Sequence, residues 1–168
     1  MYSPTRPAVF AAGALLALAV VPASSALASG GSERGDQHEA GHHALLLKSS
    51  LAGSLPADAV VAGVKPGTFP WVLDHGTARV DAAGHLQVEV EGLIIPAMGK
   101  NPVPRISASL VCNGTMVTAP TASVPFSPAG DAEIEAKITV PARCTAPVVL
   151  LNPNGDKGFF IAISGQEA

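Results

Sequence analysis

From Leu45 onward, short apolar runs alternate with turn-forming residues about every ten residues, a spacing typical of antiparallel β proteins. The runs are built from Val, Ile, Leu and Ala, and Gly, Pro, Asn or Asp separates each run from the next. Runs this short do not form long amphipathic helices, whereas they suit strands. The pattern therefore predicts an all-β fold, an antiparallel β-sandwich that is Ig-like in the broad sense, with about seven or eight strands.

The clearest hairpin is predicted by two neighbouring segments that alternate apolar and polar residues. His85–Glu91 has Leu, Val and Val on one face and polar side chains on the other. Thr77–Asp81 alternates in the same way, and Ala82–Gly84 can close the turn between the two segments. Each strand is thus expected to bury one face and expose the other.

Further strands are predicted on both sides of a second turn. Arg105–Cys112 has an inward apolar row, and Asn113-Gly114 after it is the dipeptide that a type I′ turn prefers. Thr115–Thr118 should return beside that strand. Ile134–Val140 forms another inward row, and Pro141 stops it because proline cannot donate to the ladder.

The remaining strands differ in the position expected for them in the sheets. Val148–Leu151 and Phe159–Ser164 are apolar on both faces, so we expect a central hairpin with a long turn. Ala122–Phe126 and a segment within Leu45–Ala52 are expected to add edge strands. Together these strands predict one β-sandwich domain over residues 45–168, which is long enough to bury its own core.

The first residues are typical of an export signal. The apolar run Ala8–Val21 is short for a membrane anchor, Pro22 follows it, and Ala26-Leu27-Ala28 offers a small-x-small cleavage pattern. We expect a signal peptide over residues 1–28, cleavage between Ala28 and Ser29 in the general export pathway, and secretion. Residues 29–44 are rich in Gly and His and predict a flexible leader. No later run suits a membrane span.

Charge and aromatic content exclude two classes of binding protein. The formal net charge is −3, and loss of Arg6 with the signal peptide makes it −4, so no basic surplus is available for a nucleic acid. Aromatic residues make up 4% of the chain, which is too few for a platform that stacks on bases or sugars. We therefore expect no nucleic-acid partner.

The chain contains two cysteines, Cys112 and Cys144. An even pair in an exported protein predicts a disulfide, and the alternative is two buried free thiols. Closing a loop of about 33 residues stabilises the folded state by roughly 3.5 kcal/mol. The bond would join the Asn113-Gly114 turn to the chain that follows Pro141.

A formal H-E-x-x-H match occurs at residues 38–42. In zinc proteases this spacing places two imidazoles on one face of a helix beside a general base. Here the match lies in the Gly-rich leader, which gives a helix little support, so we interpret it as fortuitous. A leader that binds zinc or copper through His38, His42 and His43 remains an alternative, in which the protein handles metal.

Asn152, Asn154 and Asp156 resemble the first ligands of a calcium loop. Lys157 stands where that loop needs glycine, and Ile163 stands where it needs an acidic residue. A hairpin turn rich in Asn and Gly is therefore the favoured interpretation, and no cofactor is predicted.

No catalytic or cofactor-binding residue is predicted. The chain contains no G-x-S-x-G motif, and His75 and His85 do not follow a triad order. Asp74-His75 and Asp81 are a possible acid–base group, although a chain with this many carboxylates contains such pairs by chance. We therefore expect a protein that is not an enzyme, with a small secreted hydrolase as an alternative.

Phe69-Pro70-Trp71 is interpreted as a chain entry packed over one end of the sandwich, with a ligand platform as the alternative. The regions of Trp71 and Phe159-Phe160 are the first places where an exposed apolar contact patch is expected. The leading hypothesis is an exported, non-enzymatic β-sandwich protein that acts by surface contact with envelope material or with another protein.

A succession of short motifs lies over about residues 60–165. The motifs are Pro66-Gly67, Phe69-Pro70-Trp71, Glu91-Gly92-Leu93, Leu110-Val111-Cys112, Gly130-Asp131-Ala132, and Cys144 followed by Ala146 to Pro153. In this succession the chain resembles small exported actinobacterial proteins of unknown function. The resemblance implies a disulfide-bonded domain behind a signal peptide. It implies no catalytic or ligand-binding residues.

Overall fold

The computed structural model describes residues 44–116 and 118–165. The predicted signal peptide, and the predicted leader except for Ala44, lie outside the described residues. A short 3₁₀ helix, Pro96–Met98, is the helical element of this part of the chain. The strands are β1 (Leu45–Gly53), β2 (Lys65–Pro66), β3 (His75–Asp81), β4 (His85–Glu91), β5 (Arg105–Cys112), β6 (Thr115–Met116), β7 (Val124–Pro125), β8 (Ala132–Lys137), β9 (Val148–Pro153), β10 (Phe159–Phe160) and β11 (Ala162–Ser164).

Strand β1 joins two layers of strands. Its residues 45–50 pair with β3, and its residues 51–53 pair with β11, in both cases antiparallel. The first layer therefore has the order β1-β3-β4-β8, and the second has the order β1-β11-β9-β5-β6. A strand that passes from one sheet to the other forms a corner of a sandwich, and it makes the eight strands one continuous path.

The two ends of this path approach each other, so the sheet is nearly closed. β7 pairs with the outer edge of β5 at Arg105 and Ile106, and it also lies close to β8. Between β6 and β7, the side chains of Thr118 and Thr121 accept hydrogen bonds from the backbone of β5. The prediction of an all-β, antiparallel sandwich is confirmed. One short pair, β2 with β10, is parallel.

Several predicted strands occur where the sequence places them. The β3–β4 hairpin forms, with β3 beginning two residues earlier than predicted. Asn113 and Gly114 both have positive φ, at 53° and 72°, as a type I′ turn requires. β9 and β11 lie in the interior of the strand order, as predicted for the last two apolar runs.

Two expectations about strands were wrong. The segment within Leu45–Ala52 is an interior strand, because it pairs with β3 on one side and β11 on the other. The alternation of polar and apolar residues along a strand indicates which face meets solvent, and it does not indicate whether both backbone edges are paired. The strand predicted to reach Val140 ends at Lys137.

The core lies between the two layers. The first layer supplies Val80, Leu86, Val88, Val90 and Ile134, and the second supplies Ile106, Ala108, Leu110, Val149, Leu151 and Ala162. A second, smaller cluster is formed by Val64, Val111, Leu150, Phe160 and Ile163. The second layer is therefore buried on both faces, and accordingly β5 is buried from Ile106 to Cys112.

The predicted disulfide between Cys112 and Cys144 is present. Hydrogen bonds reinforce it at the next residues along each segment. The Asn113 N–H donates to the Thr145 carbonyl at 2.9 Å, and the Asn113 Oδ1 accepts from the Thr145 N–H at 2.8 Å. The Asn113 Nδ2 donates to the Arg143 carbonyl at 3.0 Å. The covalent bond thus has a polar clamp beside it.

Candidate functional site

Trp71 lies where the chain crosses one end of the sandwich before β3 begins. Its backbone N–H donates to the Ser54 carbonyl at 2.9 Å, and Val72 and Ile94 exchange two further backbone bonds. At Gly53 a side chain would be impossible without movement, because a Cβ would lie 2.3 Å from the Trp71 carbonyl oxygen. This close approach of two backbones holds the indole against the core, and only 5% of Trp71 is exposed.

An open pocket of about 310 Å³ lies beside this indole. The volume is near the lower end for sites that bind small molecules. Its lining comes from four separate parts of the chain. These residues are Gly67, Thr68, Phe69, Trp71, Ile95, Met98, Pro102, Val103, Pro153, Phe159 and Ile161. Among these described residues none is charged, and Thr68 is the one with a hydroxyl group.

Two large apolar side chains of the lining are exposed to solvent. Phe69 is 48% exposed and Met98 is 46% exposed. Met98 is the last residue of the 3₁₀ helix, and Gly99 follows it at a φ of 63°. Exposed apolar side chains beside an apolar pocket are typical of a binding surface. The pocket is therefore the candidate functional site.

Trp71 also carries a polar group that has no partner among the described residues. The Trp71 indole N–H has no hydrogen-bond acceptor within residues 44–116 and 118–165. Gly67 adjoins it, and a Cβ at that position would lie 3.0 Å from the indole Nε1. The absence of a side chain at Gly67 thus leaves room next to the donor.

The structure separates the three residues predicted to form a contact patch. Trp71 and Phe159 line the pocket, with Trp71 buried and Phe159 half-buried. Phe160 is 1% exposed and packs in the second cluster with Val64 and Leu150. The contact-patch hypothesis remains a prediction, but the side chains available for contact are those of Phe69 and Met98.

Other lining residues were not found by sequence reasoning. Ile95, Pro102 and Val103 follow β4, whereas Pro153 and Ile161 flank the turn after β9. The long-range pairing of β5 with β9 brings Pro153 opposite Ile106. No local pattern could identify this set, because its members are ordinary apolar residues from segments that lie far apart in the chain.

The candidate metal ligands fall into two groups. His38, His42 and His43 lie outside the described residues. In the predicted hairpin turn, Asn152 is buried and its Oδ1 accepts from the Ser109 hydroxyl, so it serves the sheet. Asp156 Oδ1 accepts from the Gly158 N–H at 2.8 Å within the turn itself. Within the described part of the chain, no cluster of three His, Cys, Asp or Glu residues suits a metal ion.

The residues considered for acid–base chemistry are also divided. Asp74 directly precedes β3, His75 begins it, and Asp81 ends it. Asp81 Oδ2 is 2.8 Å from His85 Nδ1, and Lys137 Nζ is 3.2 Å from His85 Nε2. Asp81 Oδ1 also accepts from the His85 backbone N–H at 2.9 Å, so this carboxylate stabilises the turn between β3 and β4.

Comparison with protein-family models, curated proteins and solved structures finds no match for this chain. This result is consistent with the resemblance to proteins of unknown function. Among residues 44–116 and 118–165, no helix is long and apolar enough to cross a membrane. The disulfide fits an extracellular protein, since such bonds persist in oxidising compartments.

Proposed function

We propose that the protein is an exported, non-enzymatic β-sandwich protein that acts by surface contact, and that the Trp71 pocket makes the contact. The pocket, with Phe69 and Met98 exposed beside it, is the observation that carries the proposal. Export rests on the signal-peptide pattern of residues 1–28, and the disulfide supports it. The partner is envelope material or another protein at the cell surface.

The contact is apolar in character. Burying the exposed parts of Phe69 and Met98 releases water from two large side chains, and each Å² of apolar surface buried contributes about 25 cal/mol. Because the lining residues carry no formal charge, binding at this pocket should depend little on salt.

The proposal is tested by sedimenting the purified protein with isolated envelopes of its own host. A Phe69→Ser, Met98→Ser variant should lose at least tenfold in bound fraction, since two exposed apolar contacts are removed. Leu45→Ser is the matched control, because Leu45 is 47% exposed and lies in β1 away from the pocket lining.

The proposal would be overturned if the Phe69→Ser, Met98→Ser variant sediments with the envelopes in the same bound fraction as the wild-type protein. An equal loss in Leu45→Ser would also overturn it, because binding would then follow general surface hydropathy. A circular dichroism spectrum of each variant checks that the fold is retained.

A further inference from the structure

The buried indole of Trp71 has an unusual hydrogen-bond status. Buried tryptophan N–H groups generally find an acceptor, yet this one has none within the described part of the chain. Every fully buried side-chain nitrogen or oxygen of the described residues has a partner, so an unpartnered Nε1 must be accessible from outside. Gly67 and Trp71 both line the pocket, and a Cβ at Gly67 would lie 3.0 Å from Nε1, so the N–H adjoins the pocket wall that a ligand would contact.

The chemistry of the lining restricts what that group can be. None of the described lining residues is charged, so a carboxylate or ammonium held against the indole would lose part of its hydration without gaining an ion-pair partner from the lining. A peptide backbone would bring several N–H and C=O groups, each of which needs a partner, whereas the lining side chains offer the indole N–H and the Thr68 hydroxyl. A neutral molecule with one acceptor and an apolar body satisfies these conditions.

The size of the pocket restricts the apolar body. A cavity of about 150 Å³ holds benzene, so a space about twice that size accommodates roughly a dozen carbon atoms. The pocket has about 310 Å³ and opens to solvent beside Phe69 and Met98. A medium-length acyl chain fits this volume, and the open side leaves room for the alcohol part of an ester.

We infer that the pocket binds the acyl chain of a neutral ester, whose carbonyl oxygen accepts a hydrogen bond from the Trp71 indole N–H. The bare α-carbon of Gly67 gives the carbonyl access to the donor, because a methyl group there would lie 3.0 Å from Nε1. This inference rests on the proposed function, since it specifies what the contact site recognises.

The test uses the fact that the chain contains a single tryptophan. In ¹⁵N-labelled protein, the one indole N–H resonance reports directly on the donor during titration with methyl octanoate, octanoate or cyclohexane. We expect methyl octanoate to move this resonance downfield, and octanoate to bind at least tenfold more weakly because its charge is unpaired. Cyclohexane should fill the pocket without a downfield shift.

Three variants separate the hydrogen bond from the apolar contact. Calorimetry should show that Trp71→Phe lowers the affinity for methyl octanoate about tenfold, as expected for one lost hydrogen bond. The same substitution should lower the affinity for cyclohexane less than threefold. Gly67→Ala should block the indole shift. Gly158→Ala is its control, since Gly158 has no positive φ and its Cβ would meet the Asp156 carboxylate rather than the indole.

The inference is overturned if methyl octanoate binds without moving the indole resonance, if octanoate binds equally well, or if Trp71→Phe weakens both neutral probes alike. In each case, saturable binding of cyclohexane would leave the pocket as an apolar contact site, so the proposed function would survive. Failure of every probe to bind would overturn the inference. The proposed function is tested separately by envelope sedimentation.

Discussion

The two ends of the sandwich, at either end of β5, are held together by different interactions. Beyond Cys112, the disulfide to Cys144 and the hydrogen bonds of Asn113 fix the turn to the following chain. Before Arg105, the end is closed by side-chain packing around Trp71, with Pro102 and Val103 in the pocket lining. We refer to these as the disulfide end and the pocket end.

The difference indicates which end is suited to binding. At the disulfide end, the Cys112–Cys144 bond and the hydrogen bonds of Asn113 join two segments of the chain, so that end mainly contributes stability. Packing closes the pocket end, but it leaves Phe69 and Met98 exposed and the indole N–H without an acceptor in the described residues. Binding sites commonly combine an apolar cleft with a few polar groups, and the pocket end has that combination.

The largest effect on stability is expected at the pocket end, from Trp71→Ala. Removing a buried aromatic ring costs about 3–5 kcal/mol through lost burial and the cavity that remains. The free energy of unfolding, measured in urea, should fall by that amount. Leu45→Ala, which alters an exposed side chain, should change it by less than about 0.5 kcal/mol. A small loss in the free energy of unfolding for Trp71→Ala would mean that packing of the indole does not stabilise the pocket end.

A somewhat smaller loss is expected when the disulfide is removed by Cys112→Ala with Cys144→Ala. The bond closes a loop with a sequence separation of 32, and its removal should cost about 3–4 kcal/mol through greater freedom of the unfolded chain. Reducing the wild-type protein should lower its urea midpoint to that of the variant, and the variant itself should not respond to reductant. Methyl octanoate binding should persist in the folded variant, because the pocket lies at the other end.

The smallest of these effects is expected for Asn113→Gly, which removes the side-chain hydrogen bonds of the polar clamp and keeps the turn and the backbone bond to Thr145. Glycine tolerates the positive φ, so the loss should reflect the side-chain hydrogen bonds to Thr145 and Arg143, about 1–2 kcal/mol. Asn154→Gly is the control, since Asn154 also has positive φ and makes no side-chain hydrogen bond within the described residues. Equal losses in the free energy of unfolding for the two variants would mean that the side-chain hydrogen bonds of Asn113 do not stabilise the disulfide end.

Much of the fold could be predicted because it depends on local pattern. Alternation at period two predicted β3 and β4, and Asn113-Gly114 predicted its turn because both positions need positive φ. The two cysteines allowed one pairing, and the structure contains it. Each prediction used residues close in sequence or a choice with one solution.

The candidate site was predicted only in part. Trp71 and Phe159 were expected in an apolar contact patch, and both line the pocket, whereas Phe160 packs on the other side of the sheet. Successive side chains of a strand point to opposite faces, so two adjacent phenylalanines rarely serve one surface. Met98 lies in a 3₁₀ helix of three residues. A helix this short leaves no periodic pattern in the sequence, so Met98 could not be predicted as part of the site.

The sequence by itself determined the strand class, the main turns and the disulfide partners, because backbone preference and side-chain alternation act over a few residues. The central position of β1, the near closure of the sheet and the meeting of Phe69, Met98 and Phe159 around Trp71 came from tertiary structure. These features depend on which distant strands share backbone hydrogen bonds. That choice follows from burying the whole core at once, and no single segment encodes it.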